Sequence, residues 1–433
     1  MTATMVGILG FFALIILIFM KIPVGFVMIL VGFVGFGYLV SWPAAMGQIA
    51  HDFFSVFNSY NLTVIPLFVF MGQCAFHSGI STRLFDAAQR FIGHLPGGLA
   101  VATVGACAAF SAICGSTSAT AATMASVTLP EMKKHNYDPS LATGVVAAAG
   151  SLGILIPPST IFIIYSIMTE QSIAKLFMAG VLPGIILSVL FVITIVIWTS
   201  LKPEIAPRLE KSTSRDMLRS LSGLIETLIL FSVVMGGLFI GIFTPTEAAG
   251  VGALGTLLIS MFKRNFSWER FTMALDDTIR ITCMIMVIVA GATIFGHFLA
   301  ITEIPINIAQ WVNDLALSPM TIMIMIIIVY ILLGCLMDSL VMIMLTVPMF
   351  FPIVVSLGFD PIWFGVIIGL VAEIGVITPP IGINVYVVAG VARTVPLQTI
   401  FKGTIWMLCA LLIMVALLLI FPQIALFLPS LMA

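Results

Sequence analysis

The sequence predicts an all-α polytopic membrane protein made of two related halves, and three observations carry that prediction. Hydrophobic residues make up 61% of the 433 and charged residues 8%, with a mean hydropathy of +1.24. A soluble domain of that composition would have an apolar surface. The apolar runs are continuous rather than alternating, which selects helices over a barrel. A double proline also occurs twice in matched settings, as Gly153-Ile154-Leu155-Ile156-Pro157-Pro158 and as Gly375-Val376-Ile377-Thr378-Pro379-Pro380.

A proline lacks the backbone N–H, and its ring clashes with the carbonyl four residues back. The first pair therefore frees the carbonyls of Gly153 and Ile154, and the second those of Gly375 and Val376. Water cannot satisfy such groups in a bilayer core, so irregular backbone there must be buried in protein or line a cavity. Two breaks in corresponding positions point to a repeat-built transporter.

In chain order, Met1 to Met20 has no basic residue before its apolar run and reads as a first span rather than a cleaved signal. Spans are expected at 5–20, 23–41 and 61–79, with 42–60 interfacial because it holds Trp42, His51, Asp52 and Tyr60. Ser81 to His94 places Arg83, Asp86 and Arg90 at helical spacing and reads as an amphipathic surface helix. Gly97 to Leu129 is uncharged and dense in Gly, Ala, Ser and Thr, a composition suited to close packing. It reads as a re-entrant hairpin with its tip at Gly115-Ser116, the alternative being one long span rich in small residues.

The first broken span covers 140–168, followed by a span at 176–199. A basic connector follows with Lys202, Arg208, Lys211, Arg215 and Arg219; after spans at 222–242 and 244–262 comes a second, with Lys263, Arg264, Arg270 and Arg280. Both connectors are assigned to the cytoplasm by their positive excess. After a span at 281–301, Glu303 to Leu317 is amphipathic, and Pro319 to Pro352 reads as a second hairpin interrupted at Gly334-Cys335-Leu336-Met337-Asp338. The second broken span covers 363–390 and a last span 404–427.

The halves align at a single offset. Asp138-Pro139 precedes the first double proline as Asp360-Pro361 precedes the second, and Gly153 matches Gly375. The loops flanking the first hairpin carry Arg83, Arg90, Lys133 and Lys134; those flanking the second carry only Glu303, Asp314 and Asp360. The positive-inside rule then makes the repeats inverted, with ten crossings, two hairpins, both termini outside and Lys175 misplaced.

Candidate chemistry follows from the breaks. A sodium ion accepts neutral oxygens, so Ser111 to Ser118 with Gly153 to Ser159 forms one candidate, and Gly334 with Gly375, Thr378 and Ile381 another. Ser116 or Thr117, and Asp338 or Ser339, stand where second hairpin arms begin; they either cap those helices or place an organic anion at a helix N-terminus. Asp338 and Glu373 are intramembrane acids, read as a cation contact, a cap or a proton relay. Asn384 is a substrate contact or an interhelical hydrogen bond. The six cysteines form no C-x-x-C pair, the five histidines no metal-ligand spacing, and no phosphate-binding loop is present. An enzyme and a nucleic-acid partner are therefore not expected.

Taken together, Ser111-Ala112-Ile113-Cys114-Gly115-Ser116, Gly150-Ser151-Leu152-Gly153-Ile154-Leu155-Ile156-Pro157-Pro158 and Gly375 to Asn384 resemble the large membrane subunit of TRAP transporters, the tripartite ATP-independent periplasmic systems. The resemblance spans essentially the whole chain. It implies an elevator-type transporter of the ion-transporter superfamily in the bacterial inner membrane. Such a protein moves organic acids with sodium, together with a small membrane subunit and a periplasmic substrate-binding protein. It implies at least two sodium sites, one from Ser111, Cys114, Gly153, Ile156 and Pro158 and one from Gly334, Gly375, Thr378 and Ile381. Cys114 stands where the resemblance leads one to expect serine. Ser116, Thr117, Asp338 and Asn384 are the substrate candidates.

The organisation implied is scaffold helices at 1–80, an arm at 81–96 and a first transport repeat at 97–172. Further scaffold helices follow at 173–302, with connectors 202–221 and 263–280. A second arm at 303–318, a second transport repeat at 319–392 and a last scaffold helix at 393–433 complete the chain. The alternative is a stand-alone dicarboxylate or organic-anion transporter, or an exchanger, of related architecture.

Overall fold

The computed structural model describes residues 2–263, 266–314 and 317–432; Arg264 of the second connector lies outside them. Among the described residues all regular structure is helical. The first half contains α1 (Ala3–Phe19), α2 (Val24–Leu39), α3 (Trp42–Phe57), α4 (Val64–His77), α5 (Ile80–Ile92), α6 (Gly98–Cys114), α7 (Thr117–Lys134), α8 (Pro139–Gly150), α9 (Thr160–Thr169) and α10 (Ile173–Leu201). The second contains α11 (Ser214–Ile240), α12 (Pro245–Phe262), α13 (Trp268–Ile301), α14 (Ile304–Asp314), α15 (Pro319–Gly334), α16 (Ser339–Ser356), α17 (Pro361–Ile377), α18 (Ile383–Val391), α19 (Leu397–Ile420) and α20 (Gln423–Ser430). Among the described residues, six helices are long and apolar enough to cross a bilayer, or seven when α3 and α4, bent by 51°, count as one.

Both hairpins form where the small-residue and glycine signals place them. α6 and α7 are separated at Gly115-Ser116, where Gly115 takes φ +62°, a conformation glycine adopts without Cβ strain. α15 and α16 are separated by Cys335 to Asp338. Both double prolines interrupt helices, α8 from α9 and α17 from α18. The offset of 222 residues holds beyond the prolines: α7 and α16 begin at Thr117 and Ser339, α8 and α17 at Pro139 and Pro361. The starting caps repeat as well. Asp138 Oδ1 accepts from the Ser140 and Leu141 amides at 2.8 and 3.3 Å, and Asp360 Oδ1 from Ile362 and Trp363 at 2.7 and 3.1 Å.

Three boundaries differ from expectation. α11 and α13 begin inside the polar connectors, at Ser214 and Trp268. Charge does not terminate a helix: Ser267 caps α13 by accepting from the Arg270 amide at 3.2 Å, and Asp276 pairs with Arg280 at 2.8 Å one turn apart. The expected last span at 404–427 is instead α19 and α20, divided at Phe421-Pro422. Pro422 cannot donate to the Leu418 carbonyl, which accepts from the Trp363 indole N–H at 2.9 Å. The interfacial stretch 42–60 also contains a buried acid: Asp52 accepts from Gln48 at 2.8 Å and meets His297 Nδ1 at 3.0 Å, tying α3 to α13.

The packing forms two groups. α13 lies along α2, and α12 and α13 along α4. The hairpins and broken helices pack on one another, with α10 and α19 against them. α17, one side of the second break, is buried from Ile362 to Ile377. The arm α5 joins α6 and α11, with Arg83 3.8 Å from Glu226 and Arg90 3.7 Å from Asp216. These pairs are partly exposed and orient the arm more than they stabilise it.

α19 meets α8 through glycine. A Cβ at Gly403 would lie 2.0 Å from the Ser140 carbonyl oxygen and 2.9 Å from Gly144 Cα. Gly403→Ala should therefore separate the helices and cost about 1–3 kcal/mol, read as a lower thermal unfolding midpoint in detergent. Gly105→Ala, with nothing within 4 Å of its new Cβ, should leave that midpoint unchanged or raised.

Candidate substrate and cation sites

Each hairpin tip closes onto the break of its own half. At the first, a Cβ on Gly115 would lie 2.5 Å from the Pro158 carbonyl oxygen, and one on Gly153 would lie 3.2 Å from the Ser116 carbonyl carbon. The Thr160 hydroxyl donates to the Gly115 carbonyl at 3.1 Å. At the second, a Cβ on Gly375 would lie 2.5 Å from the Gly334 carbonyl oxygen, and the Ile381 amide donates to the Cys335 carbonyl at 3.3 Å. Glycine is required at these contacts because backbone meets backbone.

The freed oxygens are largely those that proline chemistry predicts. No donor among the described residues reaches the carbonyls of Gly153, Ile154 or Gly334. The Gly375 carbonyl departs from expectation: α17 tightens at its end and the Thr378 amide donates to it at 3.3 Å. Thr378 also donates its hydroxyl to the Ile374 carbonyl at 2.6 Å, which leaves the oxygen lone pairs for a cation. At the first break the Ser111 hydroxyl is fully buried without a partner, and so is that of Thr120. A native structure rarely buries an unsatisfied hydroxyl, so the Ser111 hydroxyl, on the helix that packs against Ser151–Gly153, fits an oxygen-seeking monovalent cation. Cys114 and Ile156 are buried with Ser111, and Pro158 sits against the tip. The two breaks differ in access: Leu155 to Ser159 are buried, whereas Pro379, Pro380 and Ile381 are exposed.

Between the tips lies a cavity of about 830 Å³. One part of its wall contains Ser116, Thr117 and Ser118 of the first tip and Asp338 and Ser339 of the second. The rest is lined mostly by apolar residues of α2, α4 and α13, including Phe26, Phe68 and Ile285. Ser116 caps α7 by accepting from the Ala119 amide at 3.4 Å, and Asp338 caps α16 by accepting from Leu340 at 2.9 Å. The wall thus contains two capped helix N-termini: the α7 end, capped by a neutral hydroxyl, favours an anion by about 0.3–1 kcal/mol, whereas the α16 end is already met by the Asp338 carboxylate. Among the described residues, Asp338 is the one charged residue lining it.

Ser116, Thr117 and Asp338 therefore come together at the cavity, while Asn384 does not. Its side chain is fully buried and donates to the Ala147 carbonyl at 3.1 Å, an interhelical hydrogen bond between α18 and α8. Glu373 also lies away from its own break. It faces Ser151, its counterpart at the 222 offset, with Oε2 3.3 Å from that hydroxyl, at the seam between halves. Sequence reasoning missed Gln73 of α4, which lines the cavity. A lone glutamine in an apolar run was the only available signal.

Residues 11–424 match the family model described as tripartite ATP-independent periplasmic transporter, DctM component. The chain is 36% identical over 389 residues to the C4-dicarboxylate TRAP transporter large permease protein DctM of Pseudomonas aeruginosa, covering 90% of each. It is 31% identical over 417 residues to the sialic acid TRAP transporter large permease protein SiaM of Vibrio cholerae, covering 96% of each. Among solved structures, the crystal structure of the Alcanivorax borkumensis YdaH transporter matches with a TM-score of 0.63 at 14% identity over 88% of each chain, a likeness of fold alone. The relatives are transport proteins and not enzymes. The chain belongs to the DctM component family of tripartite ATP-independent periplasmic transporters.

Proposed function

We propose that this chain carries out sodium-coupled uptake of a small organic anion across the bacterial inner membrane by elevator-type alternating access. A periplasmic substrate-binding protein delivers the anion, and a small membrane subunit completes the complex. The observation that carries the reading is the cavity shared by both hairpin tips and closed by apolar helices. A transported anion needs a site that donates hydrogen bonds without a fixed cation, and the hydroxyl-capped N-terminus of α7 supplies one. The relatives named for C4-dicarboxylate and sialic acid support an organic acid as the cargo.

Sodium is assigned to both tip–break contacts. Ser111, Cys114, Gly153, Ile156 and Pro158 hold one ion; Gly334, Gly375, Thr378 and Ile381 hold the other. Buried Ser111 and the donor-free carbonyls support the first; the free Gly334 carbonyl and the Thr378 lone pairs support the second. Bound ions would pin each tip to its break and hold the α7 N-terminus toward the anion. Cys114 then contributes its carbonyl rather than its side chain.

The moving body comprises the hairpins, the broken helices and the helices packed on them, α10 and α19. α1 to α4 and α11 to α13 form the scaffold, with arms α5 and α14. The unequal exposure of the two breaks supports alternating access, since inverted repeats in one state must differ in environment. Against the expected organisation, α10 and α19 move from scaffold to transport body.

Proteoliposomes containing the chain and its partner subunits should show organic-acid uptake that requires a sodium gradient. Unchanged uptake without sodium, driven by protons, rules out the coupling, and robust uptake without the binding protein selects the stand-alone alternative. Ser111→Ala and Thr378→Ala should each raise the half-saturating sodium concentration by roughly tenfold, the effect of one lost ligand. Sodium activation curves that overlay wild type would remove these residues from the ligand sets.

A further inference from the structure

We propose that Gln73 determines substrate selectivity by hydrogen-bonding a neutral polar group of the transported anion, a hydroxyl, carbonyl or amide, from the scaffold wall of the cavity. The inference rests on the reading of that cavity as the substrate site. Gln73 lies on α4 with only 7% of its surface exposed. Its neighbours Phe68 and Val69 are apolar and line the same cavity. Among the described residues its amide has no hydrogen-bond partner, and its polar atoms are not among those sealed from solvent. An amide so deeply buried without a partner is satisfied only by what enters the cavity.

The backbone next to it fixes its place. A Cβ at Gly72 would lie 2.6 Å from the Cys114 carbonyl oxygen, so α4 presses directly on the first hairpin tip. Gln73 thereby stands beside the tip whose N-terminus attracts the anionic head. The scaffold wall is otherwise apolar apart from the Cys283 thiol. A single amide in such a wall discriminates strongly, because an analogue lacking the polar group leaves the amide unpaired. The cargo class that satisfies the whole cavity is an organic anion with its head at the α7 N-terminus and a hydrogen-bonding substituent on its body. A contact from the scaffold also exists only while the transport body faces it, so Gln73 acts on affinity in one state and not on the motion itself.

The test uses the purified chain with its small membrane subunit in sodium, and thermal stabilisation by two acid pairs that differ in one hydroxyl: malate against succinate, and isethionate against ethanesulfonate. The wild-type complex should prefer the hydroxylated member of a pair on the order of tenfold, the effect of one hydrogen bond. Gln73→Leu and Gln73→Met, which keep the size of the side chain on an apolar helix, should bring the members within about twofold. Gln73→Asn, which retains an amide, should keep part of the preference. A purely structural role would shift the unfolding midpoint without changing the ratio. Wild-type preference retained in both apolar variants overturns the assignment. So does a wild-type complex that does not favour the hydroxylated acid, including one stabilised by none of the four. Absence of sodium-dependent uptake in wild-type proteoliposomes instead overturns the transport reading beneath it.

Discussion

The backbone groups that two double prolines release must be covered inside the protein, and the rest of the structure follows from that constraint. A hydrocarbon core offers no water, so each break needs a partner that approaches closely enough to shield it and carries oxygens or amides of its own. The hairpin tips meet that need. Gly115 against Pro158 and Gly334 against Gly375 bring backbone to backbone at distances that no Cβ permits. The tips in turn are helix ends, with unsatisfied groups of the same kind. Each contact therefore collects carbonyls and N-termini in one small volume, suited to small ions of either sign.

Close approach recurs wherever segments of this chain meet. Gly72 admits the first tip to α4, Gly291 admits α2 to α13, and Gly144 and Gly403 join α8 to α19. Without a hydrophobic force to separate protein from lipid, helices associate through shape and small residues. Polar residues are placed where backbone needs them: Trp363 serves the Leu418 carbonyl, and Asn384 serves Ala147. Glu373, a buried acid, meets Ser151 across a separation of 222 residues, the same that relates the two double prolines.

Much of the architecture was legible in residue order. Proline and glycine act locally, so the breaks, the tip at Gly115-Ser116 and the repeat offset could be read directly from the chain. Helix starts at Ser214 and Trp268 were not legible, because a run of charge suggests a loop; at Trp268 the Ser267 cap and the one-turn Asp276–Arg280 pair sustain the helix. The final helix divides at Pro422 because an indole from another helix satisfies the freed carbonyl, a partner that the local sequence does not name. Asn384 and Ser116 are alike as polar residues near breaks, yet only Ser116 lines the cavity; orientation on the helix decides, and helical phase is lost across a break. Gln73 was passed over because one glutamine in an apolar run is silent until the facing surfaces are known.

By itself the sequence determined the membrane class, the positions of the breaks and most of the oxygens released, since all of these depend on covalent chemistry and local sterics. Tertiary structure decided which tip covers which break and that both tips share one cavity. It also decided that α10 and α19 pack with the broken helices, and that the first double proline is buried against the cavity while the second is exposed. The physical reason is that proline dictates where a helix must stop, whereas the partner of the exposed backbone is chosen by packing among residues hundreds of positions apart.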